Sequence, residues 1–195
     1  MPRTERAQLT RDAILATGEG LMRDKGFVGV GLQEILSACG VPKGSFYHYF
    51  ASKEAFGVAV LERYVERYLA AMQAVVDEQD GPARGRIRRL AEAWAGQAGE
   101  ASADRCLVVK LSAEVAGFSE PLRRALDDGV RRVVDLLAAA VAAGYADGSI
   151  PERRPAADLA ASLYQLWLGA ALVDRLRRDG EPFRSALLTT DILTS

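Results

Sequence analysis

The chain has 195 residues, of which 49% are hydrophobic and 26% are charged, with a formal net charge of −1 at pH 7. These values are typical of a globular protein with one large or two small domains, and they exclude a chain that binds polyanions through its overall charge. Because no apolar run reaches the roughly 20 residues that span a bilayer and the N-terminus has no apolar signal-peptide core, we expect a cytoplasmic protein without a membrane partner.

The apolar residues recur at helical spacing, and Ala and Leu dominate the composition. We therefore predict an all-α fold of about nine helices. In chain order, the predicted helices cover residues 10–25, 31–38, a short stretch from Pro42 or Lys43, 53–77, 84–99, 104–116, 119–143 and 155–179, with a short last helix after Pro182. Serine or threonine N-caps and glycine stops set the predicted ends: Thr10, Ser52 and Ser119 cap, and Gly26, Gly40 and Gly144 terminate.

Two predicted helices have notable composition. The segment LAASLYQLWLGAALV (159–173) is apolar on almost every side, so we expect it to be buried in a core or between subunits. Residues 1–53 carry seven basic and five acidic residues, and 41–53 contain two lysines and no acid. Two short helices joined by a tight turn, with a basic start to the second, are typical of a helix-turn-helix.

This pattern gives the predicted domain organisation. Residues 1–53, called the head below, form a three-helix DNA-binding domain, and residues 54–195 form a helical bundle for sensing and dimerisation. The free N–H groups and positive dipole end of the short basic helix suit a phosphate.

The stretch VPKGSFYHYF (41–50) gathers four aromatic rings and the only histidine, His48. On a helix from Pro42 or Lys43, helical spacing turns Phe46, Tyr49 and Phe50 inward, and it turns the remaining polar positions outward, namely Lys43, Ser45, Tyr47 and His48. Exposed Tyr and His beside Lys suit DNA phosphates, sugars and base edges. Spacing alone leaves a second interpretation equally open, in which every ring is core.

The stretch VPKGSFYHYFASKEAF resembles the signature of TetR-family transcriptional regulators, and the resemblance extends upstream through LATGEGLMRDKGFVGVGLQEILSACG. It covers about residues 10–60. The resemblance implies a homodimer that binds a palindromic operator in double-stranded DNA and responds to a small effector. It implies DNA contacts at Gln33, Lys43, Gly44, Ser45, Tyr47, His48 and Lys53, with Gly44 acting through its lack of a side chain. Arg3 and Arg6 are candidates for a flexible minor-groove arm.

Further stretches, CLVVKLSAEVAGFSEPLRRALDDG, LYQLWLGAALVDRL and SKEAFGVAVLERY, resemble the N-ethylmaleimide-responsive branch of that family. That branch is associated with reactive electrophiles and uses a cysteine that matches Cys106. In that pattern, a lysine at the position of Arg175 would offer an amine to an oxidised Cys106. This chain has an arginine there. A guanidinium stays protonated and is a poor nucleophile, so a Cys–Lys crosslink at this position is excluded, while Arg175 remains able to stabilise a thiolate.

The residues around Cys106 in the sequence leave two interpretations of its thiol open, a reactive one and an inert one. It lies at the start of a predicted helix capped by Asp104 or Ser102, and the helix dipole with Arg105 and Lys110 favours the reactive thiolate. Asp104 opposes this effect, and most lone cysteines are inert small apolar residues. Cys39, at the end of the second helix, is predicted to be such a buried residue.

Three functions remain at this point. The first is a DNA-binding repressor controlled by an electrophile at Cys106, and the second is such a repressor with a reversible ligand and an inert Cys106. The third, a thiol-dependent enzyme, is disfavoured because His48 is committed to the short basic helix and no phosphate-binding motif occurs. Nothing in the sequence predicts a cofactor or a metal site. Candidate walls of an effector pocket, each also a candidate core residue, are Trp94, Trp167, Tyr64, Tyr68 and Phe118.

Overall fold

In a computed structural model of the chain, the structure describes residues 3–78, 80–96 and 107–195, and these contain nine α-helices and no strand. The predicted all-α class is confirmed. The helices are α1 (Arg3–Lys25), α2 (Leu32–Cys39), α3 (Lys43–Tyr49), α4 (Lys53–Val76), α5 (Ala83–Gly96), α6 (Leu107–Val115), α7 (Glu120–Ala146), α8 (Ala156–Arg177) and α9 (Glu181–Leu193).

The start of α1 differs from the prediction. The helix begins at Arg3, so Thr10 lies inside it and is not its N-cap. The stretch RTERAQL contains no Gly or Pro, and most of its residues have good helix propensity, so nothing in the sequence stops the helix from extending. The backbone of Arg3 and Arg6 is therefore helical and not a flexible arm, and their contact with a minor groove stays a prediction.

Four of the predicted helix ends are confirmed by their caps. Gly26 and Gly40 follow α1 and α2 with φ angles of 77° and 64°, in the left-handed region that favours glycine. Ser52 Oγ accepts the Ala55 N–H at 3.0 Å. Ser119 Oγ accepts the Leu122 N–H at 3.3 Å. Side-chain oxygens thus satisfy free amides at the starts of α4 and α7.

The predicted stop at Gly144 is wrong, because α7 continues to Ala146. A Cβ built on Gly144 would lie only 2.5 Å from Ile150 Cδ1. The missing side chain thus allows the chain after α7 to pack back closely against the helix. The left-handed glycine of this region is Gly148, with φ 72°.

By chain contacts, the molecule divides into two units: unit 1 comprises Met1–Glu66 and Lys110–Gly129, and unit 2 comprises Arg67–Val109 and Val130–Ser195. The division passes through α4, α6 and α7, and the domain boundary after residue 53 stays a prediction. In unit 1, the largest fully buried side chains include Ile14, Met22, Ile35, Phe46 and Phe56. In unit 2, the core gathers around α8 and includes Ile87, Leu137, Leu163, Trp167 and Phe183.

The apolar helix α8 is buried along one side, through Leu159, Leu163 and Trp167 among others. Its last turns, however, leave Leu172 and Leu176 exposed by 56% and 82%. Among the described helices, α8 is long and apolar enough to cross a membrane, a property that the core helix of a soluble protein shares. The sequence predicts that this helix is buried in a core or between subunits. The core of unit 2 buries only one of its faces.

Candidate DNA-binding surface

The short helix α3 is anchored by aromatic side chains. Phe46 and Phe50 are 0% and 3% exposed. The Phe46 ring lies 5.3 Å from both Phe50 and Phe56, and Phe50 lies 5.0 Å from Phe56. A Cβ on Gly18 of α1 would lie 2.1 Å from Phe56 Cζ, so this glycine makes room for the ring. Edge-to-face contacts of this kind fix α3 against α4.

The opposite side of α3 faces solvent. Lys43, Gly44, Tyr47 and His48 are exposed, with Tyr47 at 46%, while Ser45 is half-buried. The interpretation that every ring is core is therefore wrong. Tyr49 is only half-buried, less than the predicted core position implies, and its ring lies 5.1 Å from His48.

Gly44 has no internal reason to be glycine. A Cβ built there meets no atom of the described residues within 4 Å. If its lack of a side chain has a purpose, that purpose lies outside the chain. Gln33 is exposed in the first turn of α2.

Lys53, at the start of α4, is held by the turn between α1 and α2. Its Nζ donates to the Phe27 carbonyl at 2.8 Å and lies 4.4 Å from the centroid of the Phe27 ring. Burial lowers the pKa of the Lys53 ammonium, and the nearby Glu114 carboxylate opposes that shift. Lys53 is thus half-buried with a fixed head group, and its predicted phosphate contact stays a prediction.

The same turn is held by Glu114 of α6, which sequence reasoning missed. Its carboxylate accepts the N–H groups of Phe27, at 3.1 Å, and of Val28. Lys110, one turn earlier in α6, donates to the Asp24 carbonyl of α1 at 2.8 Å. These partners lie 86 and 87 residues apart in sequence, so no local pattern pairs them.

A buried carboxylate joins α1 to α4, and sequence reasoning missed it too. Glu19 is 2% exposed, and its two oxygens accept from Arg23 at 2.8 Å and from Arg63 at 3.0 Å. Because a buried unpaired carboxylate is costly, these arginines are required once Glu19 is buried. The ion pair between Glu19 and Arg63 holds α1 against α4.

The candidate effector residues are placed as follows. Cys106, with Ser102, Asp104 and Arg105, lies outside the described residues, and α6 begins directly after it at Leu107. Arg175 is half-buried in the last turn of α8. Tyr64 and Tyr68 are half-buried, and Phe118 is 55% exposed with its ring 6.3 Å from Phe27.

The tryptophans belong to the core of unit 2. Trp167 is 1% exposed, and its Nε1 donates to Thr190 Oγ1 at 3.0 Å. Trp94 is half-buried and lies 6.4 Å from Trp167 and 5.4 Å from Phe183, measured between ring centroids. A role for either residue in an effector pocket stays a prediction.

The second thiol, Cys39, is half-buried rather than fully buried as predicted. Burial raises its pKa, and a hydrogen bond with Thr17 opposes the shift only in part. The neutral thiol is therefore favoured at Cys39, and the neutral thiol is the unreactive form.

A group of aliphatic side chains on α8 and α9, two helices that pack together, is exposed. We call this group the aliphatic set. It includes two i,i+4 pairs, since Leu188 and Ile192 are 65% and 67% exposed on α9, like Leu172 and Leu176 on α8. The members of the aliphatic set are Leu172, Val173, Leu176, Leu188 and Ile192.

Comparison with known proteins gives consistent matches over most of the chain. Residues 14–60 match the family model of bacterial regulatory proteins of the tetR family, and residues 83–189 match that of the tetracyclin repressor-like C-terminal domain. The chain is 43% identical to the HTH-type transcriptional repressor NemR of Escherichia coli K12, over 91% of this chain and 90% of that protein. It is 35% identical to the transcriptional regulator AcuR of Cereibacter sphaeroides, over 92% of this chain and 82% of that protein.

Solved structures agree with these sequence matches. The crystal structure of E. coli NemR in its reduced form superposes with a TM-score of 0.91 at 42% identity, and the match covers 95% of this chain and 97% of that chain. TetR-family regulators bind DNA and act as dimers with small-molecule effectors. The anchored α3 with its exposed polar face, the nine helices of the described residues and these matches lead to one conclusion: the chain belongs to the TetR family, as a DNA-binding transcriptional repressor similar to NemR and not an enzyme.

Proposed function

We propose that the protein is a cytoplasmic, dimeric repressor that binds a palindromic operator and leaves it when a reactive electrophile modifies Cys106. The observation that carries the DNA-binding part is the two-sided construction of α3. Phe46 and Phe50 fix the helix from behind, while Lys43, Tyr47 and His48 are exposed on its other side. A rigid helix with free polar groups is what insertion into a major groove requires.

In this proposal, the exposed residues of α3 and two residues of α2 and α4 contact DNA as follows. Lys43 neutralises a phosphate, and Tyr47 and His48 contact phosphate, sugar or base edges. Gly44 lets the helix approach the duplex closely, in keeping with the open space around a Cβ built there. Ser45, Gln33 and Lys53 add backbone contacts beside the groove.

The aliphatic set supplies the dimer contact in this proposal. Leu176 is 82% exposed and the other members of the aliphatic set on α8 and α9 are also exposed, so contact with a second copy of the chain would remove apolar area from water. A two-fold dimer that binds successive major grooves on one face of the duplex must present its two copies of α3 about 34 Å apart. Two-fold symmetry in the protein then requires a palindromic operator.

The choice between the two thiols supports Cys106 as the sensor. Burial raises the pKa of Cys39 and keeps it in the neutral form. Cys106 is the other cysteine of the chain, and its sequence neighbour Arg105 favours the thiolate. The solved structure of E. coli NemR is of its reduced form.

The proposed reaction is an addition that needs no oxidant. The Cys106 thiolate forms one S–C bond with an activated alkene such as N-ethylmaleimide, the C=C π bond breaks, and the resulting carbanion takes a proton from water. The modified dimer releases DNA if it favours a conformation whose two heads no longer match the groove spacing.

The first test joins DNA binding to thiol chemistry. The DNA upstream of the protein's own gene serves as the probe in a gel shift, with mass spectrometry of each sample after N-ethylmaleimide treatment. We expect wild type and Cys39→Ser to be labelled at Cys106 and to release the DNA, and Cys106→Ser to stay bound. Release of Cys106→Ser by the same reagent would place the sensor elsewhere. A wild type that is labelled but stays bound would favour a reversible ligand.

The DNA-reading role of α3 needs its own variants. Tyr47→Ala removes an exposed ring that packs edge-on against Phe46 at 5.6 Å, and Tyr47→Phe removes only the hydroxyl. We expect Tyr47→Ala to lose operator affinity about tenfold or more while the dimer stays folded, in keeping with the cost of a lost groove contact. Unchanged binding by Tyr47→Ala and by Lys43→Ala would refute the assignment of α3.

A further inference from the structure

We infer that Glu114 is a positioning residue through which α6 holds the head in its DNA-reading conformation. This inference rests on the proposed function and names the contact by which the state of the Cys106 segment reaches DNA. Its basis is the way α6 grips the turn between α1 and α2. The turn comprises Gly26, Phe27 and Val28. We use the name turn clamp for its contacts with Lys53 and Glu114, together with the contact of Lys110 with the Asp24 carbonyl at the end of α1.

The turn clamp uses both oxygens of one carboxylate. Oε2 of Glu114 accepts the Phe27 N–H at 3.1 Å, and Oε1 accepts the Val28 N–H. Hydrogen bonds from amides to a charged carboxylate are stronger than neutral ones. A glutamine would offer one acceptor oxygen and one NH₂ group, so it would satisfy one of the two amides and oppose the other.

The turn itself is shaped to receive the carboxylate. Gly26 has φ 77°, a conformation that other residues rarely adopt. A Cβ built on Gly26 would lie 2.4 Å from Glu114 Oε2, so only glycine lets the carboxylate come this close. Backbone conformation and free space at Gly26 therefore both serve the same contact.

The clamp reaches groups that are proposed to touch DNA. Lys53 donates to the carbonyl of Phe27, the same residue whose N–H Glu114 accepts. Phe27 follows α1, and Val28 leads toward α2, whose end is joined by a tight turn to α3. A change at Glu114 therefore alters the link between α1 and α2 and the seat of the Lys53 ammonium.

The clamp also connects α6 to the proposed sensor. Cys106 immediately precedes Leu107, the first residue of α6. Lys110 and Glu114 are four residues apart, so they lie on one face of that helix and act on α1 and the following turn together. The backbone hydrogen bonds of α6 link its first turn to Lys110 and Glu114, so we expect a displacement of that turn to reach both contacts.

The test compares Glu114→Gln and Glu114→Ala with a matched control, Glu120→Gln. Glu120 is an exposed carboxylate of the same unit, and Arg123 and Arg124 of its own helix pair with it. The measurements are operator affinity before and after N-ethylmaleimide, the rate of Cys106 labelling, and hydrogen exchange of the Phe27 and Val28 amides. Circular dichroism melts show that each variant is folded.

We expect both Glu114 variants to speed exchange of the two amides and to weaken operator binding by about tenfold, the effect of about 1.4 kcal/mol, with Glu120→Gln within about twofold of wild type. Cys106 should be labelled at the wild-type rate. The ratio of operator affinities before and after labelling should fall toward one. Equal losses in both states, with that ratio unchanged, would mean that Glu114 only stabilises the fold and would overturn the inference.

The outcome for the proposed function remains distinguishable. If labelled wild-type protein stays on DNA, electrophile control fails, yet the unlabelled affinities still test Glu114. An unchanged operator affinity in both Glu114 variants would overturn the inference by itself. Where Glu114→Ala does not fold, Lys110→Met removes the other α6 contact, with the Asp24 carbonyl, and should weaken operator binding in the same direction.

Discussion

The exposed face of α3 and the aliphatic set of α8 and α9 are two surfaces of opposite chemistry. The α3 face presents an ammonium, a phenol and an imidazole, and residues 41–53 contain no acid. The aliphatic set presents Leu, Val and Ile side chains, with Leu176 82% exposed. Polar donors suit a hydrated polyanion, whereas aliphatic carbon gains most from burial against more aliphatic carbon. The difference fits the two partners proposed above, duplex DNA and a second copy of the chain.

The comparison also predicts an order of dependence. Palindromic operator binding requires two heads, so it requires both surfaces. Under the proposed function, dimerisation requires only the aliphatic set. Damage to the aliphatic set should therefore remove both activities, whereas damage to α3 should remove one.

The largest expected effect is at Leu176. Leu176→Glu replaces a leucine side chain worth about 1.5–3 kcal/mol of burial with a charge that must be desolvated, so dimer affinity should fall at least about a hundredfold. Sedimentation should show monomers, and operator binding should be lost with them. Leu9→Glu is the control for the sedimentation readout, because Leu9 is 52% exposed on α1. A Leu176→Glu protein that stays dimeric would remove the aliphatic set from the interface.

A smaller effect is expected at Lys43. Lys43→Ala removes one phosphate contact, so operator affinity should fall and the slope of log affinity against log salt should decrease by about one unit. The dimer should be unchanged. Lys25→Ala is a matched control, because Lys25 pairs with Glu34 within the head. A flat salt response of the wild-type protein would contradict a phosphate-binding α3.

The smallest effect concerns Cys39, the thiol of unit 1. A thiol whose pKa is raised has less thiolate at any pH below that pKa, so Cys39 should be alkylated more slowly than free glutathione at about pH 7. The midpoint of its rate against pH should lie above about 8.5, the usual pKa of cysteine, because the thiolate forms later. Mass spectrometry of Cys106→Ser measures this rate without the second thiol. Rapid labelling of Cys39 at neutral pH would weaken the assignment of Cys106.

Helix caps and inward-facing positions could be predicted from the sequence, because each depends on residues of the same helix. Ser52, Ser119, Gly26 and Gly40 were placed correctly because caps depend on a few adjacent residues. The inward position of Phe46 followed from helical spacing alone. The errors at Thr10 and Gly144 came from signals that tertiary packing or a continuing helix overrode.

The contacts that hold the candidate site were not readable in this way. Glu19 looked like an ordinary polar residue of α1, and its burial depends on Arg63 of another helix. Glu114 finds its amide partners across 86 and 87 residues. Such pairs depend on how helices meet in three dimensions, and hydrophobic periodicity carries no information about that.

A substitution at Gly18, away from the exposed face of α3, would abolish repression. It lies in α1 behind the aromatic anchor, where an added methyl group would fall 2.1 Å from the Phe56 ring. Forcing that ring aside costs about 1–3 kcal/mol and disturbs the support of α3 from the rear. Selection for permanent expression of the regulated genes would therefore have a route through this one small residue, leaving every side chain that is proposed to face the operator intact.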